Sequence, residues 1–234
     1  MKKICAIILS IGICLFLLTD KPCSAEVSLG LSAWYAEWKF LNDDSSMDMK
    51  PGLLIGPSLS TRLDDSWSIA GVFLYGRFNN EGGQDSGPDY IDRFDSDLSL
   101  NYNINRYFKI FAGGKFMGYL WDEGGGQGKH WSAGPGIGIG TTIPLINDFY
   151  LLFNVSGTYS WGQNNNVSSS DTGLTETGVN ASMSIAYYIS SASTSISLGF
   201  RDQFFKCDYK EESEQAQDES FNFYGITLSA VFTF

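Results

Sequence analysis

The sequence predicts an all-β chain: one antiparallel up-and-down transmembrane β-barrel of ten strands, with eight or twelve as alternative counts. Three observations lead there. Hydrophobic and polar residues alternate with period two in ten segments of about ten residues or more, as a wall with one greasy and one wet face requires. Short turns alternate with long polar links between these segments. Of 234 residues, 43% are hydrophobic and only 18% charged, with 26 Gly and 15% aromatics. Mean hydropathy is close to neutral, which is what averaging a lipid face and a wet face gives. Scarce charge with abundant aromatics is the opposite of a disordered composition. A net charge of −11 leaves no basic surface for nucleic acid.

Residues 1–25 stand apart from the barrel expected over 26–234. Lys2 and Lys3 precede an uncharged run, Ile4 to Leu18, that is shorter than the roughly 20 residues a spanning helix needs. Asp20, Lys21 and Pro22 end the run, and Cys23, Ser24 and Ala25 supply small residues, so a cleaved secretory signal peptide is expected, cut after Ala25. Asp20 to Pro22 do not suit a lipoprotein signal at Cys23. Cys5, Cys14 and Cys23 leave with this segment, so Cys207 remains alone and no internal disulfide is expected.

The strands follow in order. Val27 to Phe40 alternates, with Trp34 and Trp38 on its inner face. The second sets Leu53, Ile55, Pro57 and Leu59 toward lipid, against Gly56, Ser58, Ser60 and Arg62. Around Trp67 to Phe78 both faces are apolar, and the pattern does not choose between them. The fourth sets Phe94, Leu98, Leu100, Tyr102 and Ile104 against Arg93, Asp95, Asp97, Ser99, Asn101 and Asn103. Phe108 to Trp121 and His130 to Leu145 supply the next two. The seventh presents Leu151, Phe153, Val155, Tyr159 and Trp161 outward, and the eighth Val179, Met183, Ile185, Tyr187 and Ile189. Ser195 to Cys207 and Phe221 to Phe234 complete ten. Pro57, Pro135 and Pro144 cannot donate ladder bonds and weaken their strands locally. Short turns fall at 64–66, 105–106, 147–148 and 190–193, and long links at 42–50, 79–90, 122–129, 164–175 and 210–219.

Ten strands enclose an interior near the side-chain-filled limit. Counting up from the short turns, at about 3.3 Å per residue and a tilt near 40°, sets Asp95, Asp97, Lys115 and Arg201 in one layer about 5 Å thick. Lys115 should face the aspartates from the neighbouring strand, and Arg201 should reach them across the lumen. Arg93 and Arg62 share the inward parity and are expected to join this charge network. Its function is either a selectivity filter or a plug, and the inward Trp34, Trp38, Tyr107, Phe111 and Tyr119 favour the plug. Gly134, Gly136, Gly138 and Gly140 form a bare inner row that makes room for such rings.

The last segment carries a resemblance. Tyr224, Ile226, Leu228, Ala230, Phe232 and Phe234 alternate with Gly225, Thr227, Ser229, Val231 and Thr233. This resembles the C-terminal strand of Gram-negative outer-membrane β-barrel proteins, as 95–102 and 111–115 resemble their central hairpins. The resemblance implies location in the outer membrane, contact with its lipids and lipopolysaccharide, and recognition of Phe232 and Phe234 by the barrel assembly machinery.

Enzymatic readings fare less well. His130 and Ser132 resemble the His-x-Ser of outer-membrane lipid A deacylases, which implies an outer-leaflet lipid A-modifying hydrolase as the alternative function. Ala133 replaces that family's Asn, and the pair begins a strand far from the C-terminus. Asp95 and Asp97 resemble the Asp pair of the omptin proteases, but Gly128 precedes His130 where that family has Asp. His130 is therefore expected as an exposed loop-edge residue. Cys207 has no His or Cys near it in sequence, so neither a metal site nor a nucleophile is expected there. The acidic loop residues Asp43, Asp44, Asp48, Glu211, Glu212, Glu214, Asp218 and Glu219 offer oxygens to divalent cations, without the spacing of an EF-hand loop. The leading expectation is a non-enzymatic barrel without cofactor, acting as a structural element, a narrow pore or a presenter of loops.

Overall fold

The computed structural model describes residues 26–41, 49–81, 88–123, 126–165, 172–209 and 219–234. The strands are β1 (Val27–Phe40), β2 (Gly52–Arg62), β3 (Trp67–Asn79), β4 (Tyr90–Asn103), β5 (Phe108–Glu123), β6 (Gly126–Pro144), β7 (Phe149–Asn165), β8 (Thr172–Ile189), β9 (Thr194–Tyr209) and β10 (Glu219–Thr233). Each pairs antiparallel with its sequence neighbours, and β1 pairs with β10 to close the barrel. Closure removes the sheet edges, which is what lets a β-structure satisfy its backbone in hydrocarbon. Ser32 and Ser229 bridge the seam with a 2.9 Å hydroxyl pair, and Phe234 N donates to Val27 O at 2.8 Å.

Local chemistry sets the short turns. Asp64 Oδ1 accepts from the backbone N–H groups of Ser66 and Trp67 at 2.7 and 2.8 Å. Asn105 Oδ1 does the same for Tyr107 and Phe108 at 2.8 and 3.0 Å. These are side-chain mimics of a backbone turn. The other two turns use left-handed residues, Asn147 at φ 53° and Ser193 at φ 46°.

The two Gly-Pro pairs inside strands share one geometry. The β2–β3 ladder lapses at Gly56-Pro57 and the β6–β7 ladder at Gly134-Pro135, and each resumes in the same register. A Cβ on Gly56 would sit 1.9 Å from Phe73 O, and one on Gly134 2.0 Å from Tyr159 O. Glycine thus lets the partner strand close in where proline cannot donate a hydrogen bond.

The outer wall is apolar. Leu98, Leu100, Ile110, Ile137, Ile139, Met183, Ile185, Leu198, Ile226 and Leu228 all face outward. Aromatic rings flank this band, with Trp67–Tyr102 and Phe149–Tyr187 pairs at the short-turn end and Tyr159–Trp161 toward the long-loop end. An apolar band between aromatic girdles is the surface of a transmembrane barrel.

Four expectations are corrected or completed. On β3, Phe73 and Tyr75 face outward while Leu74 and Phe78 are buried, which settles the ambiguous strand. The expected long link at 122–129 is strand on both of its described flanks: β5 runs to Glu123, β6 starts at Gly126, and the two stay paired there. Arg62 is not in the lumen. It lies at the short-turn rim, half exposed, 3.3 Å from Asp65 and 3.8 Å from Glu26, because its strand ends there. Of the glycine row, Gly138 does make room for a ring, since a Cβ there would lie 2.3 Å from Phe111; Gly140 accommodates Lys109 instead. The segment 1–25 and the acidic loop positions other than Glu219 lie outside the described residues.

Candidate functional site

Inward-facing side chains fill the barrel in successive layers. Nearest the short turns, Ser32, Asn154, Ser182, Ser197 and Ser229 help line a cavity of about 340 Å³. Above it lies the charge layer. Asp95 is fully buried and meets three cations: Arg93 Nη2 at 2.8 Å, Lys115 Nζ at 3.0 Å and Arg201 Nη2 at 3.4 Å. Asp97, with a side chain 32% exposed, meets Lys115 at 3.2 Å and Arg201 at 2.6 Å. The predicted layer of Asp95, Asp97, Lys115 and Arg201 therefore assembles, and Arg93 belongs to it.

Sequence reasoning missed the neutral members of this network. Gln203 Oε1 accepts from Arg93 at 2.7 Å, and Asn180 Oδ1 accepts from Arg201 Nε at 3.1 Å. Their inward parity on β8 and β9 was the available signal, but neutral amides look like any other wet-face residue. Together these groups reach across the lumen from β4 and β5 to β8 and β9. Burial of so much charge is tolerable only because each ion is paired.

An aromatic layer covers the charges on the long-loop side. Arg93 bridges the two, its guanidinium carbon 3.5 Å from the centre of the Phe223 ring. Trp38 stacks on Tyr119 at 5.0 Å and packs on Phe223 at 4.9 Å and Phe78 at 5.4 Å. Trp34, Trp38, Phe78, Tyr119 and Phe223 are all buried. Of the rings expected inward, Trp38 and Tyr119 are in this plug, Trp34 is buried beside Arg93 and Arg201 and borders the cavity, Phe111 is half-buried beside the cavity, and Tyr107 lies at the short-turn rim.

A second polar cluster sits beyond the rings, level with the outward-facing Trp131 and Trp161. It corrects the expectation for His130, which is buried, not a loop-edge residue. β6 extends beyond the predicted start, so His130 lies inside a paired strand facing inward. Its Nε2 is 2.8 Å from Glu176 Oε1 on β8. Ser132 Oγ donates to Glu176 Oε2, and Cys207 Sγ on β9 donates to Glu176 Oε1 at 3.0 Å. Tyr119 packs its ring against the imidazole at 5.1 Å. All four polar residues are buried. Cys207 thus does have a His and a carboxylate beside it, brought there by strands 46 and 31 residues from Glu176. Glu176 was hidden because it falls just past the predicted 164–175 link, although it keeps the inward parity of Gly178 and Asn180.

The Ser132 hydroxyl donates to the carboxylate and not to the imidazole, so the nucleophile–base hydrogen bond is missing. The donor atoms of His130, Glu176 and Cys207 lie within 4.8 Å of one another. Asp95 and Asp97 are held by cations in the separate charge layer, away from His130.

No protein-family model and no curated protein matches the chain. Among solved structures it is similar to the outer membrane protease OmpT from Escherichia coli, at 12% identity and a TM-score of 0.49, covering 90% of this chain and 96% of that one. It is similar to the β domain of the Bordetella autotransporter BrkA, at 10% identity and a TM-score of 0.49, with 90% and 99% covered. It is also similar to Neisserial surface protein A, at 11% identity and a TM-score of 0.41, with 89% and 97% covered.

Proposed function

We propose that this protein is a non-enzymatic barrel of the Gram-negative outer membrane whose sealed lumen makes it a rigid support for its long loops. One observation carries the reading: two barriers lie in series, an ion-paired layer spanning the lumen and an aromatic layer above it. Either alone narrows the passage. Together they would close off the cavity at the short-turn end from the long-loop side. The β10 pattern ending in Phe232 and Phe234, both exposed on the lipid side, supports recognition by an assembly machinery through that strand.

Planar-bilayer recording tests the seal. The wild-type protein is expected to give no current steps, and so are Asp97→Ala and Arg201→Ala, because the rings remain. Combining Asp97→Ala with Trp38→Ala and Phe223→Ala should produce conductance. Steady wild-type channels would refute the reading.

A further inference from the structure

The only His of the chain, and its only Cys beyond residue 25, converge on one buried carboxylate. They arrive from three strands with no closeness in sequence. In a wall whose inner face is mostly Ser, Asn, Gly and rings, such a meeting of the two best soft-metal ligands is a specific arrangement. From it we infer that His130, Glu176 and Cys207 form a binding site for a thiophilic divalent cation, zinc in the first instance.

The donor set fits. Imidazole nitrogen, thiolate sulfur and carboxylate oxygen are the ligand types that zinc accepts, and three protein ligands leave a fourth position for water. A tetrahedral ion with ligands at about 2.0–2.3 Å holds its donor atoms roughly 3.3–3.6 Å apart. The observed separations are 2.8 Å from His130 Nε2 to Glu176 Oε1 and 3.0 Å from Cys207 Sγ to the same oxygen. Opening these two by less than about 1 Å, with all three donor atoms already within 4.8 Å of one another, reaches the spacing the ion needs.

Charge fits as well. One carboxylate and one thiolate neutralise a divalent ion, so the loaded site adds no net charge to a buried place where net charge is costly. Binding forms the metal–sulfur bond as the S–H bond breaks, and the proton passes to solvent. Ser132 would keep its hydrogen bond to Glu176 Oε2, fixing the carboxylate while Oε1 ligates. The site stands level with the aromatic girdle at the long-loop end, and in bacterial outer-membrane barrels the short turns are periplasmic and the longer loops extracellular.

The test uses the protein extracted from membranes in detergent, stripped with chelator, its folded state checked by heat-modifiable gel migration. Co²⁺ serves as the optical probe and Zn²⁺ as its competitor. The folded wild type should take up about one Co²⁺ with a thiolate-to-cobalt charge-transfer band, and Zn²⁺ should bleach that band. Cys207→Ser should abolish the band, and His130→Ala and Glu176→Gln should weaken binding by more than the roughly 10–100-fold expected for the supporting Ser132→Ala. Absence of the band in folded wild type would overturn the site, whatever the variants do. Metal uptake unchanged in Cys207→Ser and His130→Ala would assign the ion to the acidic loops and overturn it equally. Bilayer silence is unaffected by either result, so this inference and the sealed-lumen reading fail separately.

Discussion

Removing Asp95 should unfold the barrel far more easily than removing Asp97, although both are lumen aspartates two residues apart on one strand. In Asp95→Ala, Lys115 and Arg201 keep Asp97 at 3.2 and 2.6 Å. Arg93 loses its only carboxylate and keeps only neutral partners, Gln203 at 2.7 Å, Met117 Sδ at 3.7 Å and the Phe223 ring 3.5 Å from its guanidinium carbon. Its side chain is 0% exposed, so the stranded cation cannot turn to water. Breaking a buried pair in this way costs about 3–5 kcal/mol. Asp97 is one-third exposed, and both of its cations retain Asp95, so its removal should cost about 1–2 kcal/mol. With a urea slope of about 2–3 kcal/mol per M, the Asp95→Ala midpoint should fall by about 1–2 M. Refolded protein in lipid vesicles, followed by tryptophan fluorescence, gives the readout, since Trp34 lies beside Arg93 and Arg201. Adding Arg93→Met to Asp95→Ala should recover most of the loss by removing the stranded charge, and the double-mutant cycle measures that coupling. Indistinguishable midpoints for Asp95→Ala and Asp97→Ala, or no recovery in the double variant, would refute the layered burial argument.

Further expectations concern single positions. Arg62→Ala should shift stability by no more than about 0.5 kcal/mol, because its pairs are solvated; a loss like that of Asp95→Ala would return it to the network. Gly134→Ala should sharply reduce refolding yield measured by gel migration, since its new Cβ meets the Tyr159 carbonyl oxygen at 2.0 Å. Gly114→Ala, where the nearest atom is 3.9 Å away, is the tolerated control. Replacing Phe232 and Phe234 together by Ala should lower the amount of assembled protein in cell envelopes while leaving refolding in vesicles intact; equal envelope levels would remove these aromatics from the assembly signal.

The barrel was legible because its physics repeats. Ten strands each repeat the same choice between lipid and water, and the resulting parity placed Asp95, Lys115 and Arg201 in one layer. What parity conceals is how far a strand runs. The segment Gly124 to Gly128 looks like a turn by composition, yet β5 and β6 stay paired to Glu123 and Gly126. That extension turned His130 from a rim residue into a buried one. Parity also fails at a strand's end, where inward no longer means enclosed, and so Arg62 was assigned to a lumen that its position does not reach. On β3 both faces are apolar because Leu74 and Phe78 feed the ring layer, so the plug itself erased the alternation that would have oriented the strand.

The unequal strand lengths connect the seal to the cluster above it. Strands β5 to β9 run 16 to 19 residues, whereas β2 and β3 run 11 and 13. About 9–11 tilted residues cross a bilayer, so the surplus on β5 to β9 extends past the hydrocarbon, and the long-loop ends carry much of it. The charge and ring layers occupy the lumen where the wall is complete on all sides. His130, Glu176 and Cys207 lie above them on the tall side, on strands β6, β8 and β9. A polar cluster there adds nothing to the seal proposed for the layers below it. Its placement makes sense if the tall wall has a task of its own at the cell's exterior, and a site that gathers the chain's rarest ligands is a candidate for that task.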